Sequence, residues 1–151
     1  MLVQEARQNK VTQPRLLFVV PHFNNAKKLG RCLKSLTEFP PDSCKVQTIV
    51  IDDGSDNSNL AGAKKLCSHY SALLMILDEN NGVSKARNVG LNYAVKNNFD
   101  FAFFIDSDDH LTKKIHSIDF INNDLTIYSS VETIDSYESH NDYEKYIVKK
   151  N

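Results

Sequence analysis

Four short apolar runs punctuate the chain: LLFVV (16–20), TIVI (48–51), LLMIL (73–77) and FAFFI (101–105). They are apolar along their length rather than alternating. A strand that is greasy on both faces must be covered on both, which is the condition of strands in a parallel sheet held between helices. The intervening segments carry helical periodicity. In the first, Ala26, Leu29, Leu33 and Leu36 recur at spacings of three and four, while Lys27, Lys28, Arg31 and Lys34 take the other side. In the second, Asp56 or Asn57 can cap a helix containing Leu60, Ala63, Leu66 and Cys67. In the third, Ala86, Gly90 and Ala94 form a seam of small residues that permits close approach to the sheet.

The pattern predicts β-α-β-α-β-α-β, an α/β, three-layer α/β/α architecture with a mostly parallel central sheet. Units of about thirty residues imply right-handed crossovers. Past residue 110 the signal weakens. Residues 111–123 read as an amphipathic helix through Leu111, Ile115, Ile118 and either Phe120 or Ile121, and residues 125–134 as a further strand; 135–151 receive no assignment. The expected organisation is an N-terminal extension over 1–14, a ligand-binding βα region over 15–110, and a second region over 111–151 that breaks off early.

Composition narrows the function classes. A net charge of -1 gives no reason to expect a nucleic-acid partner. Three cysteines without C-x-x-C spacing indicate neither a disulfide framework nor a zinc knuckle, so the chain reads as reduced and cytoplasmic. The longest apolar runs, about five residues, are far short of the ~20 that span a bilayer. Peripheral association with the inner face of a membrane would have to come from other regions.

Ligands of parallel sheets bind at the carboxyl ends of the strands. Here those ends read PHFNN (21–25), DDGSDN (52–57), DENNG (78–82) and DSDDH (106–110). The first lacks the G-x-G-x-x-G turn that seats a dinucleotide pyrophosphate, which argues against classical NAD or FAD binding. The edge is rich in carboxylates instead. Two ionised carboxylates about 5 Å apart repel by roughly 3 kcal/mol at an effective dielectric of ~20. Asp106, Asp108 and Asp109 therefore call for protonation, exposure or a cation, and Mg²⁺ or Mn²⁺ is the hard, oxygen-preferring choice, commonly shared with substrate phosphates. A lone D-x-D is more often a strand terminator and helix cap. This one follows an apolar strand and faces DDGS on the same expected edge. Asp52 or Asp53 suits the N–H of a uracil or ribose hydroxyls, although Asp-Gly-Ser is also ordinary turn chemistry. Arg87, near the start of the third helix, is placed for a phosphate, whereas Lys85 reads as surface charge.

Taken in order, FVVPHFNNAKKLGRCLKSL, TIVIDDGSDN, NNGVSKARNVGLN and FFIDSDD resemble the nucleotide-sugar-binding part of family 2 glycosyltransferases, enzymes of the GT-A, Rossmann-like fold, over about residues 15 to 110. The resemblance implies that Pro21, Phe23 and Asn24 cradle the nucleoside and that Asp53 recognises the base. It implies further that Arg87 lies by the diphosphate and that Asp106 and Asp108, with Asp109 adjoining, serve ribose and metal. His22 departs from the tyrosine often found at its position, with Phe23 offering a ring one place on. The implied activity is inverting transfer from a nucleotide sugar, UDP-linked by family habit, to a saccharide or lipid-linked acceptor in cell-surface polysaccharide or glycoconjugate synthesis. In that family the catalytic base lies downstream of the D-x-D. Asp119, Asp124, Glu132, Asp135 and Glu138 match no motif, so no catalytic residue is assigned and the chain reads as a donor-binding half. Two other classes are a non-catalytic nucleotide-binding or assembly module and, less well matched, an aspartyl phosphohydrolase, which expects threonine or valine where His110 stands.

Overall fold

The computed structural model describes residues 13–42, 44–111, 125–129 and 144–148. The elements are β1 (Arg15–His22), α1 (Ala26–Glu38), β2 (Lys45–Asp52), α2 (Asn57–His69), β3 (Leu73–Ile76), α3 (Val83–Lys96), β4 (Phe101–Phe104), β5 (Leu125–Ser129) and β6 (Glu144–Val148). The first four strands form one sheet in the order β3-β2-β1-β4, and every neighbouring pair is parallel. β1 and β2, the central strands, run past the apolar runs to end on His22 and Asp52, which are register partners.

Alternation along β1 divides the core into two layers. Leu16, Phe18 and Val20 pack with Leu29, Leu33 and Leu36 of α1 and Ala63 and Cys67 of α2. Leu17 and Val19 pack with Ile49 and Ile51 of β2 and Ala86 and Ala94 of α3. Helices thus cover both faces, as the continuous apolar runs require. Each fully buried leucine, isoleucine or phenylalanine contributes about 1.5–3 kcal/mol, so the two layers dominate the stability. Cys32, Cys44 and Cys67 are buried and none is disulfide-bonded. Phe18 and Phe103 meet edge to face at 5.5 Å across the β1–β4 pair.

β3 differs from its expectation. Its run is apolar, yet Met75 and Ile76 are exposed, because β3 is an outer strand of the four-stranded sheet with β2 as its sheet neighbour. β5 and β6 form a separate antiparallel pair, Leu125 opposite Val148. β5 realises residues 125–129 of the expected 125–134 strand, and β6 falls in the tail that carried no assignment. The helix expected over 111–123 lies, apart from Leu111, outside the described residues, as do the acids Asp119, Asp124, Glu132, Asp135 and Glu138. Among the described residues, no helix is long and apolar enough to cross a membrane.

Candidate functional site at the carboxyl edge of the sheet

The loops after β1, β2 and β4 and the start of α3 meet at one edge. Asp56 caps α2 by accepting from the Asn59 backbone N–H at 2.8 Å, as its place before an apolar-periodic stretch predicts. Asn25 caps α1 more loosely, accepting from Lys28 N–H at 3.4 Å. Between the two caps lies a clamp. The Asn24 backbone N–H donates to Ser55 Oγ at 2.9 Å, and the Asp56 N–H donates to Asn24 Oδ1 at 2.8 Å. Asn24 adopts a left-handed conformation, φ 47°, to make both contacts; asparagine tolerates that region better than most residues. Of the segment expected to cradle a nucleoside, Pro21 is buried in β1, Asn24 ties two loops together, and Phe23 exposes its ring.

Asp52 and Asp53 sit at the end of the same strand and do different things. Asp53 is buried, and its two oxygens accept the backbone N–H groups of Asn81 at 3.0 Å and Gly82 at 2.8 Å. The carboxylate expected to read a base is thus occupied in tethering the end of β2 to the start of α3. Asp52 is wholly buried; Oδ1 accepts from Ser55 N–H at 2.9 Å, while Oδ2 faces His22 Nε2 at 3.8 Å, too long for a hydrogen bond. Among the described residues, both ring nitrogens of His22 and Oδ2 of Asp52 find no hydrogen-bond partner. Burial holds the His22 imidazole below its ordinary range, with Asp52 pulling the other way. The turn between these acids and α2 depends on Gly54. Its φ is +75°, and a Cβ there would lie 2.6 Å from the Glu79 carbonyl carbon, so the β2–α2 loop can pass this close to residues 79–80 only with glycine.

Replacing Asp53 with alanine is expected to lower stability by about 2 kcal/mol, because two backbone donors lose a charged acceptor. A urea midpoint unchanged from that of the unmodified chain would show the tether to be dispensable.

Arg87 and Asp106, expected at a diphosphate and at a ribose or metal, are brought together: Arg87 Nη2 donates to Asp106 Oδ1 at 2.7 Å, with both side chains about 40% exposed. Arg87 Nε is buried and has no hydrogen-bond partner among the described residues. Asp108 lies 3.5 Å from Lys28 Nζ, a contact between half-exposed groups that contributes at most about 1 kcal/mol. Lys28 belongs to the charged side of the first helix, opposite its apolar residues; its position three residues into α1, within reach of Asp108, was invisible without the fold. Asp109 closes the turn by donating its N–H to the Asp106 carbonyl at 2.9 Å. Its carboxyl is held above the ordinary range, first by partial burial and then by repulsion from Asp108 and Asp106, which His110 and Lys28 offset only in part. Cys32, in α1 beneath the same acids, is pushed up to about 12 by burial and their charge. Arg31 Nη2 lies 3.4 Å from His110 Nδ1; the guanidinium can only donate, so Nδ1 is the acceptor.

The expected trio of metal-holding acids is therefore not a closed cage. Asp106 turns to Arg87 and Asp108 to Lys28, and among the described residues no group of three His, Cys, Asp or Glu side chains converges on one point. The donor set still fits Mg²⁺ or Mn²⁺, which takes one or two carboxylates and completes its shell with water and phosphate oxygens. Asp109, crowded by like charge, has the chemistry that such an ion would relieve.

Comparison with known proteins gives a consistent result. The model of the family described as "Glycosyl transferase family 2" matches residues 17–144. Glycosyltransferase GlyA of Streptococcus pneumoniae serotype 4 is 27% identical over 130 residues, 86% of this chain and 18% of GlyA. The crystal structure of S. aureus TarS 1-349 in complex with UDP superimposes with a TM-score of 0.56 at 29% identity, over 66% of this chain and 29% of that one. The mannosyltransferase PcManGT from Pyrobaculum calidifontis, in complex with GDP-Man and Mn²⁺, has a TM-score of 0.56 at 21% identity, over 69% of this chain and 30% of that one, a likeness of fold. This chain spans less than a third of the length of each.

Proposed function

This chain belongs to glycosyl transferase family 2, and from that premise we propose that it binds a nucleoside diphosphate sugar along the carboxyl edge of its sheet, as the donor-binding half of an inverting transfer to an acceptor hydroxyl. The acceptor would be a saccharide or lipid-linked saccharide in polysaccharide or glycoconjugate synthesis. UDP is the nucleotide of choice because TarS, a relative of similar fold, has been crystallised with it.

The observation that carries this reading is the Arg87–Asp106 ion pair standing beside Asp108 and Asp109. A diphosphate needs cationic donors, and the guanidinium is a planar, permanently charged one, already oriented by Asp106 on a side chain about 40% exposed. The same diphosphate is repelled by Asp108 and Asp109 unless a divalent ion lies between them. These two acids would hold that ion, and its chemistry there is to offset charge on the departing diphosphate. Phe23 offers an exposed ring to the nucleoside at the end of β1. Pro21, Asp52 and Asp53 shape that end from beneath, through the clamped loops. No residue of the chain is assigned as the base that removes the acceptor's proton.

Calorimetry of the chain with UDP is expected to give saturable heat in the presence of Mn²⁺ and none after EDTA. Heat that survives chelation would refute the cation's part; the absence of heat with UDP and with GDP, metal present, would refute the nucleotide reading.

A further inference from the structure

The most anomalous feature of the fold is the pair of fully buried polar side chains where β1 and β2 end. His22 and Asp52 are register partners, both side chains are excluded from solvent, and three of their polar atoms have no hydrogen-bond partner among the described residues. Buried polar atoms in native proteins are nearly always satisfied, and those that are not call for a functional or structural account. The pair also sits at the root of the loop clamp. Asp52 Oδ1 accepts from Ser55 N–H, Ser55 Oγ accepts from Asn24 N–H, Asn24 Oδ1 accepts from Asp56 N–H, and the His22 carbonyl accepts from Asp53 N–H. Asn24 is two residues from His22, so the ring closes on itself.

We propose that His22 is a positioning residue for the donor site: uncharged, it lets the β1–α1 and β2–α2 loops stay clamped, and on protonation it opens them. The reason lies in donor counting. A neutral imidazole has one N–H, which a small rotation can direct to Asp52 Oδ2, and one nitrogen that needs no proton partner. The imidazolium has two N–H groups and a charge, yet among the buried side-chain atoms of the described residues one acceptor without a partner, Asp52 Oδ2, faces it. A buried charged donor without a partner costs several kcal/mol, so water must be admitted. The exposed segment that can yield is Phe23–Asn24, immediately after the imidazole.

Among the described residues, the neighbouring elements supply no other compensating charge. On β2, Asp52 is the charge that reaches His22. On α2, Cys67 faces Asp52, and its thiol, pushed up to about 11 by burial and that carboxylate, is neutral. On α1, Cys32 is neutral for the same kind of reason, and Lys28 lies against Asp108. Beyond β4, Asp106 is engaged by Arg87 of α3. The sign follows from the lowered His22 value. The clamp's contribution is present above pH 6.5, the ordinary histidine value, and is lost as pH falls through the lower folded-state value.

The link to nucleotide binding rests on the donor-site reading above, so the test separates the two. Amide hydrogen exchange of Asn24 and Asp56 in the ligand-free chain, corrected for intrinsic rates, is expected to lose up to about tenfold in protection per pH unit as pH falls from 6.5 towards the folded-state His22 value, read in parallel from its imidazole NMR titration, and to level off below it. In His22→Gln, whose amide keeps one donor and does not titrate, protection is expected to be flat from pH 7.5 to 5.5. Equal pH dependence in both chains overturns the proposal, and so does a wild-type His22 titration that the Asn24 and Asp56 amides do not follow, a result available even if the variant fails to fold. Binding of uridine, which carries no titrating phosphate and needs no metal, is expected to weaken in step with the lost protection. A clamp that opens while neither UDP nor GDP binds in the presence of Mn²⁺ refutes the donor-site reading and leaves the His22 switch standing.

Discussion

The double variant Asp108→Ala/Asp109→Ala is expected to give no saturable heat with UDP and Mn²⁺ under conditions that saturate the unmodified chain. The loss corresponds to at least about tenfold in affinity, since each charge-assisted contact contributes about 1.5–3 kcal/mol. Wild-type-like heat from this variant would remove the acids from the metal assignment. Substitution of Asp109 should move stability the other way. Asp109 has a folded-state value above the ordinary 3.8, raised by burial and by Asp108 and Asp106, so the folded chain holds its proton more tightly than the unfolded chain does. The stability tied to that proton is fully present below the unfolded value and is lost as pH rises through the folded one. Above that window the ionised Asp109 opposes folding, and Asp109→Asn is expected to raise the metal-free thermal midpoint at pH 7. A group that destabilises the fold while serving a ligand is what a binding site produces, whereas a merely structural cap would lower the midpoint when removed.

Replacing Gly90 with valine is expected to destabilise the chain by about 3 kcal/mol or more, at the upper end of overpacking costs. Gly90 lies in α3 between the buried Ala86 and Ala94, and a Cβ built there collides with both Val19 γ carbons in the middle of β1. Val19 cannot retreat, because it is fully buried with Ile49 and Ile51 in the layer beneath α3. The helix would have to lift, and with it Arg87, three residues earlier on the same element. The measurement is the urea midpoint at constant m-value. A shift smaller than that of a solvent-facing Lys85→Val control would show that the close approach of α3 to the sheet is not required. Nucleotide affinity should fall with stability in Gly90→Val, because lifting α3 pulls Arg87 away from Asp106.

The elements that the sequence revealed best are those whose signal is local. The apolar run 16–20 lies inside Arg15–His22, the 3.6-residue spacing from Ala26 to Leu36 lies inside Ala26–Glu38, and the seam of Ala86, Gly90 and Ala94 is the face that α3 buries. Two structural features were not legible. The outer position of β3 follows from strand order, and an apolar run such as LLMIL reads alike in the centre and at the border of a sheet. β6, Glu144–Val148, carries charge and tyrosine in place of a clear apolar pattern, and its partner β5 is supplied from elsewhere in the chain.

Local periodicity within a dozen residues was enough to read the succession of elements from β1 to β4, the helices on both faces of the sheet, and the gathering of carboxylates at the strand ends. The tertiary structure alone decided what each carboxylate does. Asp52 faces the buried His22, Asp53 tethers Asn81 and Gly82 from 28 and 29 positions away, Asp106 pairs with Arg87 across 19, and Lys28 reaches Asp108 across 80. These partners are chosen by strand register and by where each helix lands on the sheet, and neither is written in the spacing of neighbouring residues.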